Sequence, residues 1–372
     1  MKSVWNFIKR EAVLSISAFF AIVSMLAVPP SAAYLQYIDW RVLALLFCLM
    51  AVVMGFRECG VFSCLAQKLL AGQKSLRILS LILVLLPFFV SMFVTNDVAL
   101  IAFVPFTLMI LEYIGKQEAM IWIVVLQTVA ANLGSAATPV GNPQNLYLYA
   151  DYQVSAGEFF AIMAPVILVS FLGVCGCALL TKNGQISINF PEKAKISNQK
   201  LLLLFVALFI LCLLSVFRVL HYGIVLGVVI TALLLFQREL LPKVDYCLLL
   251  TFVCFFVFSG NLGQIAPLRS LLEQAMQKNA LVTSALASQL ISNVPAAVLL
   301  SNFTDNWKAL LLGVNVGGLG TPIASLASLI SLKFYLKSNS ADIKHYLAKF
   351  TLVNVAGLLL LLGLSRFLLA LL

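Results

Sequence analysis

Charged residues are scarce in this sequence. Lysine and arginine together number 24, aspartate and glutamate number 14, and the four types make up 10% of the 372 residues. A soluble domain carries about a quarter charged residues, so the composition excludes a sizeable soluble domain. Hydrophobic residues make up 62%, and they recur in apolar stretches of about 16 to 22 residues, the length of a membrane helix. The sequence therefore predicts an all-α polytopic membrane protein.

Patterns typical of enzymes and metal centres are also missing. The two histidines, His221 and His345, fall at opposite boundaries of the predicted membrane segments, which excludes a His-metal cluster and a Ser-His-Asp triad. None of the eight cysteines has C-x-x-C spacing, and all lie in or beside apolar segments, as small buried hydrophobic residues do. We therefore predict no enzyme activity, no cofactor and no metal centre beyond a coupling ion, H⁺ or Na⁺.

The formal net charge of +10 reflects the membrane rather than a nucleic acid. With the N-terminus placed in the cytoplasm, six of the 24 basic residues fall outside and the other 18 inside, an excess that follows the positive-inside rule. The outer six are Arg41, Arg218, Arg269, Lys278, Lys308 and Arg366. We predict a bilayer partner, no nucleic-acid partner, a bacterial plasma-membrane location and an outer C-terminus.

A polar motif occurs twice within long apolar segments. Asn132, Gly134, Thr138 and Pro139 recur with the same spacing in the second half of the chain, as Asn315, Gly317, Thr321 and Pro322. Proline removes a backbone donor and interrupts a helix. An unpaired backbone group in hydrocarbon costs several kcal/mol, so such interruptions are tolerated only beside a protein-enclosed or water-accessible cavity.

A second polar interruption precedes each copy of the motif. Thr95, Asn96 and Asp97 come before the first copy, and Ser292, Asn293 and Val294 before the second. We interpret each as the tip of a hydrophobic hairpin, over 78–112 and 280–303. The helices that follow, 119–150 and 307–336, are predicted to be broken. Paired broken helices in two halves of a chain are typical of secondary transporters.

The order of segments predicts an inverted repeat. Residues 1–181 form the first repeat of five elements, 182–220 a cytoplasmic linker and one unpaired crossing helix, and 221–372 the second repeat. The odd crossing inverts the second repeat relative to the first. Residues 13–28 resemble a cleaved signal peptide, but the repeat needs them as its first helix. Both hairpins are predicted to be re-entrant, which keeps their tips near the middle of the membrane.

Candidate binding residues lie at the hairpin tips and helix breaks. Half-helix N-termini there offer N–H groups to an anion, and half-helix C-termini offer carbonyls to a small cation. Amide and hydroxyl side chains can serve either, and Asn96 or Asn293 could hold a sodium ion. The predicted substrate- and ion-binding residues are Thr95, Asn96, Asp97, Asn132, Thr138, Gly141, Asn142, Asn145, Ser292, Asn293, Asn315, Thr321 and Ser325. Capping of the broken helices is the structural alternative for each of them.

Asp97 is the one carboxylate within these motifs. Burying its charge near the bilayer centre costs about 2.5–3.5 kcal/mol, so we expect Asp97 to be paired, protonated or in contact with water. It is a candidate proton carrier or cation ligand. Arg57 and Glu58, at a predicted helix end, fit a local ion pair or an interfacial anchor.

At these positions the chain resembles the ion transporter superfamily, which contains arsenite permeases, sodium/proton antiporters, and citrate and di/tricarboxylate transporters. The likeness lies in the segments 95–100, 137–145 and 317–328, and it extends with the inverted layout over nearly the whole chain. The resemblance implies an alternating-access carrier, often dimeric, with substrate and coupling ion between the two tips and two breaks. The third residue of each tip departs from this family pattern, because Asp97 and Val294 occupy the positions where dicarboxylate carriers have threonine.

Three functional hypotheses follow. The first is a secondary active transporter of a small anion or arsenite, of the inorganic anion, citrate or dicarboxylate class, coupled to protons or sodium. No arginine lies at a tip or break to neutralise a multiply charged anion. The second is a sodium/proton antiporter that uses Asp97. The third is an ion channel, whose wet pore would also explain the polar breaks.

Overall fold

A computed structural model describes residues 11–188, 193–338 and 341–371. Over these residues the regular secondary structure consists of helices and two short strands. Seven of the helices are long and apolar enough to cross a membrane. The chain is therefore a polytopic α-helical membrane protein, as the composition predicts. The basic residues Lys2, Lys9 and Arg10, part of the predicted cytoplasmic charge, lie outside the described residues.

The first half of the chain holds nine helices within the described residues. They are α1 (Ala12–Ala27), α2 (Tyr34–Tyr37), α3 (Trp40–Glu58), α4 (Val61–Leu70), α5 (Leu76–Val90), α6 (Asn96–Tyr113), α7 (Met120–Ser135), α8 (Pro143–Asp151) and α9 (Ala156–Leu179). Strand β1 (Gly72–Ser75) precedes α5, and a 3₁₀ turn (Gln117–Ala119) precedes α7.

The second half begins with strand β2 (Gln185–Ile188). Its helices are α10 (Gln199–Val216), α11 (Tyr222–Phe236), α12 (Tyr246–Gln264), α13 (Ala266–Ile291), α14 (Asn293–Ser301), α15 (Trp307–Val316), α16 (Leu326–Tyr335) and α17 (Ile343–Leu371). A 3₁₀ helix (Arg238–Lys243) lies between α11 and α12. Most helix ends fall within a few residues of the predicted boundaries.

Side-chain caps explain where two long helices begin. Asp39 accepts a hydrogen bond from the Val42 N–H at 2.9 Å and caps α3. Asp245 accepts from the Leu248 N–H at 2.9 Å and caps α12 in the same way. A carboxylate at this position satisfies a free N–H group and complements the positive end of the helix. These caps fix the two helices that flank the polar centre.

The centre of the molecule is built from the hairpins and the interrupted helices. Helix α5 packs on α7, and α13 packs on α15. The halves also interlock, because α6 packs against α16 and α14 packs against α8. Helix α7 is the most buried of the candidate membrane spans and α17 the least. The polar motifs therefore lie inside the protein, with α17 and much of α9 and α10 facing outward.

Three boundaries differ from the sequence prediction. The sequence predicts an amphipathic stretch over 60–74, but residues 72–75 form β1. This strand pairs antiparallel with β2 from the predicted linker, with Lys74 opposite Ile186. The sequence predicts an amphipathic stretch over 266–278 that is separate from the second hairpin. In the structure, α13 continues from this stretch into the first arm of the second hairpin through a kink at Asn279. Helix α17 begins at Ile343, earlier than the predicted 350. Four-residue strands are too short for hydrophobic periodicity to reveal.

Candidate functional site

The first hairpin tip is held by an asparagine at the start of α6. The Asn96 side-chain oxygen accepts the Asp97 N–H at 2.9 Å, and its amide nitrogen donates to Asn132 Oδ1 at 2.9 Å. Thr95 occupies the N-cap position of α6. Asn96 is buried. The first tip, Thr95 to Asp97, is thus joined directly to the last turn of α7.

The second tip has the same local arrangement. Asn293 Oδ1 accepts the Val294 N–H at 3.0 Å, and the Asn293 N–H donates to the Ala324 carbonyl at 3.0 Å. Ser292 has a φ of +74°, and its hydroxyl lies 3.3 Å from the Ala324 oxygen that it bonds to. A positive φ at a non-glycine residue is strained, and such strain is concentrated at functional sites. The tip Ser292–Val294 therefore adjoins the break in its own half.

Both interrupted helices separate at the predicted positions. In the first half, residues 136–142 divide α7 from α8, and in the second, residues 317–325 divide α15 from α16. These segments are here called the first and second breaks. Pro139 and Pro322 lie within them, as the sequence predicts.

Two equivalent hydrogen bonds join the interrupted helix of one half to that of the other. Ser325, at the N-cap of α16, donates from its hydroxyl to Asn132 Oδ1 at 2.9 Å. Asn142, the N-cap of α8, donates from its amide to Asn315 Oδ1 at 3.2 Å. Asn132 and Asn315 are the equivalent residues of the two motifs, and Asn142 and Ser325 occupy equivalent positions after them. Each half therefore bonds to the other through the same pair of positions.

Asn145 extends this network in the first half. Its side-chain oxygen accepts from Asn315 Nδ2 at 2.6 Å, and its nitrogen donates to the carbonyls of Ala136 and Thr138 at 3.3 and 3.0 Å. Ser328 takes the equivalent position in the second half, and its buried hydroxyl has no hydrogen-bond partner among the described residues. A buried hydroxyl without a partner is costly. This position is thus a candidate ligand contact.

Thr138 and Thr321 brace the hairpins. The Thr138 hydroxyl donates to the Met92 carbonyl, and the Thr321 hydroxyl donates to the Gln289 carbonyl at 3.1 Å. Met92 and Gln289 each stand three residues before the threonine or serine of their tip. Thr138 and Thr321, both predicted site residues, thus tie each break to the hairpin of its own half.

Two glycines, Gly134 at the end of α7 and Gly141 in the first break, allow close packing. A Cβ atom on Gly134 would lie 2.1 Å from the Phe88 carbonyl oxygen of α5, and one on Gly141 would lie 2.1 Å from the Ser135 carbonyl oxygen. No side chain fits at either place. Gly141, predicted as a binding residue, therefore also has a packing role.

Gln289 is part of this arrangement although it was not predicted. Its amide nitrogen donates to the carbonyls of Gly317 and Leu319 at 2.7 and 2.9 Å, and its oxygen accepts the Thr321 N–H at 2.8 Å. A glutamine inside an apolar hairpin arm was the available signal. Comparison of the halves does not reveal it, because Met92 occupies the matching position.

A cavity of about 370 Å³ reaches the first tip. Its walls include Thr95 and Asp97, together with Arg57, Lys243 and Asp245 from other elements. An adjoining cavity of about 280 Å³ shares Asp97 and Asp245 with it. Basic side chains therefore do approach the first tip, from segments outside the motifs. The Lys243 amine is paired with Glu58 at 2.6 Å, so Glu58 has an ion-pair partner from another element rather than the adjacent Arg57.

A third cavity, of about 530 Å³, lies at the other end of α3. Asp39, Tyr147, Asp151 and Asn302 are among its lining residues, and neither hairpin tip contributes to it. Tyr147, in the wall of this cavity, is hydrogen-bonded through its hydroxyl to the hydroxyl of Ser301 in the second hairpin at 2.7 Å. The first tip can thus be reached from one end, through the cavity of Arg57 and Lys243.

This architecture, with polar breaks and hairpin tips buried among apolar helices, defines an integral membrane transporter rather than an enzyme. Residues 4–309 match the citrate transporter family. An uncharacterized transporter of Methanocaldococcus jannaschii is 33% identical over 330 residues, 88% of this chain and 90% of that protein. The inner membrane protein YbiR of Escherichia coli is 31% identical over 305 residues, 80% of each chain. The chain belongs to the citrate transporter family, as its resemblance to the ion transporter superfamily predicted.

Proposed function

We propose that the chain is a secondary active transporter of a small anion or arsenite, coupled to protons or sodium and working by alternating access. The observation that carries this proposal is the crossed pairing of Asn132 with Ser325 and of Asn142 with Asn315. Matching bonds in both directions are what a pseudo-two-fold axis between inverted repeats produces. Re-entrant hairpins and a homodimer belong to the same proposal.

The substrate class follows from the side chains at the centre. Amides and hydroxyls surround the breaks, and the basic residues Arg57 and Lys243 stand in the cavity wall instead. Lys243 is already paired with Glu58. A neutral or singly charged solute suits this centre better than a multiply charged anion, which needs paired cationic groups.

Counterflow in proteoliposomes tests the transporter. Arsenite, phosphate, succinate and citrate are each loaded inside, and uptake of the labelled compound is followed. A carrier gives uptake accelerated by internal substrate, and Asn132→Leu should abolish it because Asn96 and Ser325 lose their shared partner. Asn354→Leu is the matched control, since Asn354 is buried but bonds only to Phe350 of its own helix. Unitary conductance without counterflow would replace the carrier with a channel.

A sodium/proton antiporter is the second candidate, and the position of Asp97 favours it. Its carboxylate lines two adjoining cavities together with Asp245, where opposed carboxylates attract a cation. In everted vesicles, a sodium salt added without any candidate substrate anion should then change the internal pH. Asp97→Asn should remove this response. Asp39→Asn is the control, because Asp39 caps α3 at its other end, away from both of these cavities, and asparagine can still cap a helix. A response that persists in Asp97→Asn excludes this candidate.

A further inference from the structure

We propose that the amide of Gln289 takes the place of a cation at the second break, so that the coupling ion binds only in the first half of the molecule. This inference rests on the proposed ion-coupled transport. It starts from the backbone of the second break, where the end of α15 leaves carbonyl groups without helical partners. Such carbonyls at a half-helix C-terminus are where transporters coordinate small cations.

Gln289 fills that position with hydrogen-bond donors. Its nitrogen lies 2.7 Å from the Gly317 oxygen and 2.9 Å from the Leu319 oxygen. The Thr321 N–H donates to the glutamine oxygen at 2.8 Å, which fixes the orientation of the amide. A flipped amide would set its oxygen against two carbonyl oxygens and its nitrogen against an N–H group. The carbonyls are therefore neutralised by a tethered amide.

The surrounding backbone is shaped to receive this side chain. Gly320 has a φ of +105°, and a Cβ atom there would lie 2.2 Å from the Gln289 oxygen. Only glycine combines this conformation with this contact. The hydroxyl of Thr321 donates to the Gln289 carbonyl at 3.1 Å. The second break therefore contacts the Gln289 side chain or its carbonyl through four residues, Gly317, Leu319, Gly320 and Thr321.

The first half handles its break differently. Met92, at the position equivalent to Gln289, has no hydrogen-bond donor in its side chain. The carbonyls of Ala136 and Thr138 are instead met by Asn145 from the same broken helix. The amide that meets the carbonyls of the first break therefore comes from α8 and not from the hairpin, and the first tip contributes the Asp97 carboxylate and Thr95 to an open cavity. These oxygens are the acceptors left for a cation.

The test measures the melting temperature of the purified full-length protein in sodium, potassium or choline chloride at about 0.15 M ionic strength. Gln289→Met gives the second half the residue of the first and frees the carbonyls. Gln289→Glu sets a carboxylate against them, a repulsion that a bound cation relieves. Both variants should melt at least about 2 °C higher in sodium or potassium than in choline, because a ligand of the folded state stabilises it.

The controls separate this proposal from others. Gln127→Met removes a buried amide that donates to the Leu83 carbonyl away from either break, and it should gain no cation dependence. Any sodium dependence of the unmodified protein should disappear in Asp97→Asn. The proposal is overturned if neither Gln289 variant gains cation dependence, or if sodium stabilisation survives Asp97→Asn. Absence of counterflow would contradict the proposed transport function. That result is independent of the melting temperatures, which test the role of Gln289.

Discussion

At the scale of single residues, asparagine amides join the two halves of this protein. Asn132 Oδ1 accepts hydrogen bonds from Asn96 of its own half and from Ser325 of the other. Asn315 accepts from Asn142 and donates to Asn145. An amide can donate and accept at once, which suits a junction that has to satisfy several buried groups. The same property would let the junction exchange partners in the alternating access that we propose.

The contact between Asn132 and Ser325 can be measured by a double-mutant cycle. We expect Asn132→Ala and Ser325→Ala to show a coupling of about 0.5–1.5 kcal/mol in the free energy of unfolding, because they share one buried hydrogen bond. The measurement is unfolding of the purified protein in detergent. Asn354→Ala paired with Ser325→Ala serves as the control cycle, since Asn354 bonds to Phe350. Additive effects in the Asn132 cycle would contradict the structure.

Close packing at Gly134 gives a second prediction at this scale. Gly134→Ala should destabilise the protein by about 1–3 kcal/mol, because the added methyl group would meet the Phe88 carbonyl. Gly173→Ala is the matched control in α9, where no atom lies within 4 Å of the added Cβ. Helix propensity makes that change neutral or stabilising by up to about 1 kcal/mol. Equal melting temperatures for the two variants would show that α5 does not pack closely against α7 at Gly134.

The motif residues were predictable from the sequence, and Gln289 was not. The spacing shared by Asn132 and Asn315 identifies positions that carry the same contact in both halves. Gln289 acts in one half only, opposite Met92, so comparison of the repeats passes over it. Its partners are backbone carbonyls of the second break, so the polarity of Gln289 within an apolar arm is its one signal in the sequence, and that signal does not identify the partners.

At the scale of elements, hydrophobic periodicity predicted the helices and missed the strands. Helices such as α3 and α9 are long apolar runs with polar caps, which a sequence displays directly. Strands β1 and β2 are four residues each and far apart in sequence, and β1 has no apolar side chain. Their pairing depends on where α5 begins and where α9 ends in space, which local pattern does not encode. This pairing attaches the linker to the start of the first hairpin.

The register of the strands can be tested by disulfide formation. Gln73 lies opposite Ser187, and paired residues in antiparallel strands have Cα atoms about 4.5–5.5 Å apart, which a disulfide can bridge. Gln73→Cys with Ser187→Cys should therefore crosslink on mild oxidation, read out by mass spectrometry of the digested protein. The pair Gln73→Cys with Gln185→Cys, two residues out of register, is the control. Preferential crosslinking of the control pair would disprove the register.

At the scale of the whole molecule, the two ends of the protein differ. The cavity beside Arg57 is lined by Thr95 and Asp97 of the first tip, whereas neither tip lines the cavity beside Asp39. This difference could not be predicted from the sequence, since it depends on how α3 and α12 pack against the tips. It is the asymmetry that alternating access requires of a molecule built from similar halves.

The inverted arrangement makes a prediction about the sides of the membrane. An odd number of crossings between the repeats places matching segments on opposite sides, and the positive-inside rule puts the segment around Gln73 in the cytoplasm. A cysteine at Gln73 should react with a membrane-impermeant thiol reagent only in everted vesicles, and a cysteine at Lys278 only in intact cells. Both positions are exposed, so burial does not limit the reaction. The background reactivity of the eight native cysteines is measured in the unmodified protein. Labelling of both introduced cysteines from one side would mean that the repeats are parallel, and the crossed bonds of Asn132 and Asn315 would then need another origin.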